Sequence, residues 1–438
     1  MAGRQGDMMK INAEKLFLAI FVLVLSALAV YFVSPGPDNY VYYNIAKEMV
    51  RDPSILWRTD LTGWQSFLAL QTNVLAAYPP LEIMFFAGLM AVGLPMFFVT
   101  ILSIVVIGYF FYKMDGKAIP FLFLSFMFIR ETAFNGNDIL MVAVTLASFY
   151  FLTKKKIKTS ALFVGMLPLI KSTGFFVILA WLLYIVITER KNIFTKHYMA
   201  AIAIALLILF PWYFRNYLLF NDVYLAVMGV SKEVYARSAT FQQTGLQASQ
   251  PEKALWDSTD YYPLPIDILF YIGVAFFIFN IIKTKQFKLE QLKPYSIFII
   301  IMVSVYFIFQ AIGIPFFQIR HEMIIFPFLA LEIVRGIPER FLKYAFIICL
   351  VAFIFFTFSL PKYAFNQYSE TITPACKQIK SAIDFEPVYV NAFHNWFVIY
   401  KCNLNATIQN ESKWTIDFEN GQLYLTNKTN LTNNITGV

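Results

Sequence analysis

Apolar runs long enough to cross a bilayer, separated by short polar breaks, set the pattern of this chain. The clear runs are 16–33, 95–112, 139–153, 173–188, 198–214, 266–282, 295–314 and 344–360. Shorter ones occupy 118–129, 160–170 and 323–334, and another, 79–93, opens with Pro79-Pro80 and carries Glu82. About twenty apolar residues cross a hydrocarbon core of roughly 30 Å, so the pattern predicts an all-α polytopic membrane protein. Leu16–Val33 follows Lys10 and Lys15 and contains Ala27-Leu28-Ala29, a signal-peptide-like site. Because the apolar run continues past that site, an uncleaved first helix is expected.

Lysine and arginine orient the runs, since both are in excess on the cytoplasmic side. Lys154, Lys155, Lys156 and Lys158 form one block, and Arg190, Lys191 and Lys196 a second. Lys283, Lys285, Lys288 and Lys293 form a third, and Arg335, Arg340 and Lys343 a fourth. All four fall inside if the N-terminus is inside, 118–129, 160–170 and 323–334 are spans, and 79–93 lies in the interface. The expectation is about eleven transmembrane helices over residues 1–360, N-terminus in and C-terminus out.

The outer loops are then 34–94, 130–138, a tight turn near 171, 215–264 and 315–322. The first and fourth are too long to be mere connectors, and long loops carry function. In 34–94, Tyr40, Tyr43, Ile45 and Met49 alternate with Lys47, Glu48 and Arg51, which suits an interfacial helix beside the helix 79–93. The tail 361–438 should be a small outer domain or a partly ordered appendage. Residues 386–400 are rich in strand formers, and from 403 the chain is polar and Asn-rich. Asn405, Asn410, Asn427, Asn430 and Asn434 each open an N-glycosylation sequon, five within 34 residues, as an outer tail permits.

Composition narrows the class. Of 438 residues 59% are hydrophobic and only 14% charged, with a mean hydropathy of +0.61. Soluble domains carry about 25% charged residues, so a membrane protein is indicated again. The net charge of +8 lies between apolar runs, so it reads as topology and no nucleic-acid partner is expected. Of three cysteines, Cys349 lies in an apolar run, while Cys376 and Cys402 lie in the tail and can pair if the tail is outside.

Ionisable residues collect on the outer face: Asp38 after the first run, Arg130 and Glu131, Asp138, Lys171, Arg215, then Arg320, His321 and Glu322. Plain structural roles compete for several. Asp138 could be an N-cap in Asn135-Gly136-Asn137-Asp138, and Arg130 and Arg320 could be interfacial anchors. His321 and Glu322 resemble a metal pair, but adjacent side chains on a helix point apart. Lys171 is harder to dismiss, because a tight outer turn is where lysine is disfavoured. Together, carboxylates suit proton transfer and cations suit a departing phosphate. On an outer face the phosphate would be lipid-borne, which points to a transferase drawing an activated group from a membrane lipid.

Six short segments carry a resemblance. They are Pro37-Asp38-Asn39-Tyr40, Tyr78-Pro79-Pro80-Leu81, Asp138 opening a helix, Leu169-Ile170-Lys171, 211–216 (Pro-Trp-Tyr-Phe-Arg-Asn) and Arg320-His321. In their order and common sidedness the chain resembles the membrane glycosyltransferases of the GT-C superfamily. It is most similar to the branch of protein O-mannosyltransferases and lipid A aminoarabinose transferases. The likeness covers about residues 15–340. Asn39 stands where that branch usually has a second acid and Tyr78 where it usually has His, and the Trp-Trp-Asp motif of oligosaccharyltransferases is absent.

The resemblance implies a polyisoprenyl (dolichyl-type) phosphate sugar as donor and a hydroxyl on a protein, lipid or glycan as acceptor. It implies Asp38 as general base of an inverting transfer, Asp138 orienting the acceptor or helping hold a divalent metal ion, and Lys171, Arg215 and Arg320 holding the lipid phosphate. The site would face the outside of an archaeal cell or the ER lumen of a eukaryote. A membrane transporter, or a lipid-linked glycan flippase or polymerase, is the rival reading. Against it stand charge-poor run centres and a 61-residue first outer loop.

Overall fold

In the computed structural model the chain divides into two units. The structure describes residues 2–32, 37–54, 62–65, 70–73, 79–190, 193–221, 268–285, 291–311, 323–363 and 369–383. In the C-terminal region it also describes 386, 388–390, 402, 404, 406–407, 413–419 and 422–427.

The first unit comprises Met1–Val33, Phe97–Phe210 and Trp256–Phe358. Its elements are helical. They include α1 (Ala2–Phe32) and, in the order they follow one another, the helices on each side of the second unit's first segment. That segment holds α2 (Pro37–Arg51), strands β1 (Thr62–Gln65) and β2 (Leu70–Asn73), and α3 (Pro80–Ala91). The first unit resumes with α4 (Phe97–Asp115), a 3-10 helix (Gly116–Leu124), α5 (Phe126–Ala133), α6 (Asn137–Thr153), α7 (Ile157–Ile170) and α8 (Gly174–Thr188). There follow α9 (Lys196–Phe220), α10 (Ile268–Thr284), α11 (Pro294–Ala311), α12 (Phe326–Gly336) and α13 (Glu339–Tyr363).

The apolar runs thus become helices, and among the described residues three are long and apolar enough to cross a membrane: Phe97–Leu124, Lys196–Leu219 and Glu339–Leu360. A fourth results if α5 and α6, bent by 115° at their break, count as one span. The other apolar stretches, such as Lys15–Tyr31 within α1, have 10–17 described residues. At 14 residues, α7 extends about 21 Å at 1.5 Å per residue, short of a perpendicular crossing. The run 118–129 is not one α-helix: Pro120 lies within the 3-10 helix, and the chain breaks at Ser125, whose hydroxyl accepts from the Phe128 N–H at 2.9 Å to cap α5.

Two kinds of contact hold the first unit. Phe149, Phe298 and Phe328 form an aromatic knot between α6, α11 and α12, with ring centroids 4.8–5.1 Å apart. Polar ties add to it. Trp181 on α8 donates to the Ser160 hydroxyl of α7 at 2.8 Å, and Ser160 in turn bonds the Ser148 carbonyl of α6 at 2.8 Å. On α12 the fully buried Glu332 accepts from Asn280 of α10 at 2.7 Å and from the Ser296 hydroxyl of α11. Where lipid replaces water, such ties contribute about 0.6 kcal/mol each and fix which helices meet. The outward side chains are apolar: Leu206, Leu207 and Phe210 on α9, and Ile347, Val351 and Phe355 on α13, are all well exposed.

The second unit comprises Ser34–Met96, Pro211–Leu255 and Ser359–Val438. As expected, helices occupy 37–51 and 80–91, and they pack together with the Tyr43 and Phe86 rings 6.4 Å apart. The antiparallel pair β1–β2, in register Thr62↔Asn73, was not expected and qualifies the all-α reading. In the tail, α14 (Ser369–Ile383) precedes β3 (Val388–Val390), β4 (Ala406–Thr407), β5 (Trp414–Glu419) and β6 (Gln422–Asn427). They form a sheet in the order β4-β3-β5-β6, with β3 parallel to both neighbours and β5–β6 antiparallel. Strands β4, β5 and β6 thus lie past 403, in the polar, Asn-rich part of the tail. Trp414, Ile416 and Phe418 alternate with polar residues along β5, a half-buried strand pattern. Cys376 of α14 is bonded to Cys402, with Cα atoms 4.9 Å apart. Cys376, Ile379 and Ile383 share one helical face, and the two isoleucines are buried.

Of the five sequon asparagines, Asn427 ends β6 and is 7% exposed. Asn405, Asn410, Asn430 and Asn434 lie outside the described residues.

Denatured without reductant, the protein should expose one alkylatable thiol, Cys349, and three after reduction, counted by intact mass. Closing a 26-residue separation should stabilise the tail by about 3 kcal/mol, so Cys376→Ser with Cys402→Ser should make the segment after 360 markedly more protease-sensitive.

Candidate functional site

The site is built where two helix pairs break in the first unit. The first break, between α5 and α6, is made by Asn135-Gly136. Asn135 takes a left-handed φ of 53°, which asparagine tolerates, and its side-chain N–H donates to the Ala29 carbonyl of α1 at 3.2 Å. At Gly136 the Glu131 carboxylate packs close, so that a Cβ there would lie 1.9 Å from its oxygen unless the side chain moved. Glu131 is 7% exposed, and Arg130 reaches it at 3.4 Å.

The second break is the turn between α7 and α8. Lys171 ends α7 in an extended conformation, with its N–H on the Leu167 carbonyl at 3.0 Å. Its own carbonyl accepts from the Gly174 N–H at 2.8 Å. Here too a side chain is excluded, because a Cβ on Gly174 would lie 2.3 Å from the Leu167 carbonyl carbon. Four residues therefore reverse the chain and leave Lys171 at the bend.

The two breaks meet in an ion pair. The Lys171 ammonium donates to both Asp138 oxygens, at 2.8 and 3.0 Å, and Asp138 and Lys171 are 2% and 9% exposed. This settles the alternative role for Asp138. The N-cap of α6 is Gly136, and Asp138 in the first turn spends both oxygens on Lys171. The helix N-terminus still favours its charge. Nearby in the chain, the Asn135 side-chain amide oxygen and the Thr173 hydroxyl are buried with no hydrogen-bond partner among the described residues. Each unmade bond costs about 1–3 kcal/mol, a cost that recurs at binding sites. Neither residue was singled out by the sequence reading, although Asn135-Gly136 is a readable turn signal.

Arg130 is half-buried with its guanidinium carbon 5.6 Å from the Phe134 ring centre, an arrangement compatible with an interfacial anchor. Arg215 belongs to the second unit. It is 5% exposed, lies 4.8 Å over the Trp212 ring and donates to the Asn216 side-chain oxygen at 2.6 Å. Asp38 and Asn39 are in the first turn of α2, and their side chains are outside the described residues. Tyr78, Arg320, His321 and Glu322 lie outside them altogether.

Among the described residues no three His, Cys, Asp or Glu side chains are grouped to hold a metal ion. Asp138, which the resemblance implies as orienting the acceptor or helping hold a divalent ion, accepts from the Lys171 ammonium with both oxygens. A scan against protein-family models finds no match, and no curated protein matches the chain.

A buried pair costs most when halved. Asp138→Ala or Lys171→Ala should each destabilise the first unit by about 3–5 kcal/mol, because an unpaired buried charge remains. Replacing both, as Asp138→Leu with Lys171→Met, should cost clearly less than the sum. Melting curves in detergent for the four proteins measure that coupling, and additive losses would mean the pair is not buried as described. In the same assay Gly174→Ala should lower the melting temperature by several degrees, as the Leu167 backbone cannot yield 1 Å cheaply.

Proposed function

We propose that this protein is a membrane glycosyltransferase that moves a sugar from a polyisoprenyl phosphate donor to a hydroxyl acceptor. The reading includes the eleven-span, N-inside topology, which puts the chemistry on the extracytoplasmic face. It rests on the GT-C-like order of short motifs. The observation that carries it furthest is the buried Asp138–Lys171 pair, whose two residues the motifs had named separately.

In the proposed reaction the Asp38 carboxylate takes the proton of the acceptor hydroxyl as that oxygen attacks the anomeric carbon. The bond from that carbon to the phosphate oxygen breaks, and the electron pair leaves with the lipid phosphate. One displacement inverts the anomeric centre, and general-base assistance of this kind contributes about 10²–10⁴-fold. Lys171, with Arg215 and Arg320, would neutralise the phosphate as it gains charge. Asp138 would hold the ammonium at a fixed point, so no reorganisation is needed when the phosphate arrives. A divalent ion is given no step.

A transporter would place binding groups near the middle of its spans. Asp138 and Lys171 lie at helix ends beside the α5–α6 break and at the C-cap of α7. Broken helices also build transporter sites, so the order of the motifs, and not the position of the pair, favours the transferase.

Purified protein supplied with a polyisoprenyl-phosphate hexose and membranes as acceptor source should release the sugar from its lipid. Asp38→Asn should cut turnover at least about 100-fold while donor binding persists. Neither binding nor turnover with any lipid-phosphate sugar would overturn the proposal.

A further inference from the structure

A cavity of about 710 Å³ opens at the other end of α6, some 25 Å of helix away from Asp138. It lies wholly within the first unit. Its lining carries five cations, Lys113, Lys117, Lys154, Lys293 and Arg335, against two carboxylates, Asp115 and Glu339. Its floor is apolar, including Phe149, Leu331 and Leu342.

Not all five cations are equal. Lys117 is paired with Glu339 at 3.1 Å, an exposed pair that a competing anion can replace. Lys113 and Lys154 rest over Tyr109 and Tyr150, at 5.6 and 5.7 Å, and are otherwise exposed. Lys293 is exposed and immediately precedes α11, whose first residues, Pro294 and Tyr295, also line the cavity. The positive end of that helix dipole adds to the lysine's field. Arg335 is fixed from behind, 3.6 Å from the buried Glu332, which Asn280 and Ser296 hold in turn. A guanidinium so anchored is preorganised for an incoming anion.

Helix C-termini alone would account for Lys113 and Arg335, which offset the dipoles of α4 and α12. Lys154 caps the end of α6 in the same way, and the inside excess of lysine expected from the sequence covers Lys293, but neither accounts for a cavity of ligand size that gathers five cations around an apolar lining. We propose that this cavity binds a phosphate ester, the headgroup of an anionic phospholipid in the adjoining leaflet. The phosphate meets the cation rim, and the glycerol and first methylenes cover the apolar floor. The site is separate from the proposed donor site and does not depend on the transferase reading.

Full-length protein in nanodiscs of mixed phosphatidylglycerol and phosphatidylcholine tests this by native mass spectrometry of the lipid retained on release. Phosphatidylglycerol should be enriched at least about tenfold over phosphatidylcholine. Lys113→Gln with Lys154→Gln and Lys293→Gln should abolish the enrichment, and the corresponding triple arginine variant should keep it. Lys293→Gln alone, at an exposed position, should weaken it several-fold if the triple variant does not fold. Displacement by millimolar glycerol phosphate would assign the same site to a soluble phosphate ester. Equal retention of both lipids by the wild type, or enrichment unchanged in the glutamine variants, would overturn the proposal.

Discussion

The Lys171–Asp138 ion pair is the interaction on which the rest of the first unit's organisation depends. Taking both charges out of water is costly, and the attraction between them offsets that cost only with good geometry. Two bonds of 2.8 and 3.0 Å from one ammonium to both carboxylate oxygens supply it. The pair joins the α5–α6 break to the α7–α8 turn, so neither helix pair can shift without separating charges. Both breaks contain a glycine: at Gly174 the Leu167 backbone leaves no space for a side chain, and at Gly136 the Glu131 carboxylate fills it. Small residues and a salt bridge thus act together, one allowing the close approach and the other fixing it.

The same logic recurs at lower stakes elsewhere. Apolar contact between lipid-exposed helices gives little preference for one partner over another, because lipid tails are equally apolar. The Ser148–Ser160–Trp181 chain and the Asn280–Glu332–Ser296 cluster supply that preference in α6 to α8 and in α10 to α12. Glu332 also steadies Arg335 at the cationic cavity. Charged groups therefore collect at the two ends of α6: a buried, net-neutral pair at its start and a largely exposed, cation-rich cavity, with Arg335 anchored by Glu332, at its end.

How much of this could be read from the chain differs by element. The apolar runs became helices nearly where hydropathy put them, because burial in lipid and hydrogen bonding within the segment demand it. Length was less legible. The run 118–129 hid the Pro120 3-10 helix and the Ser125 break, and where 323–334 was expected, α12 starts three residues later and ends at Gly336. The β5–β6 hairpin was legible in Asn420-Gly421 between alternating strands, but the polar composition around it masked the signal. At the site, Asp138 and Lys171 were each marked by position, yet their pairing was not. They are 33 residues apart, and only the reversal at Gly174 shows that they meet. Glycine in both turns was the available clue.

The central claim is that the buried pair receives the phosphate of a polyisoprenyl lipid. The most direct test is photo-cross-linking with a polyisoprenyl phosphate carrying a diazirine beside the phosphate, followed by peptide mapping. The account predicts adducts in the 130–138 segment and the 170–174 turn, suppressed by excess unlabelled polyisoprenyl phosphate. Adducts confined to the lipid-facing side of α13, and insensitive to that competitor, would contradict it.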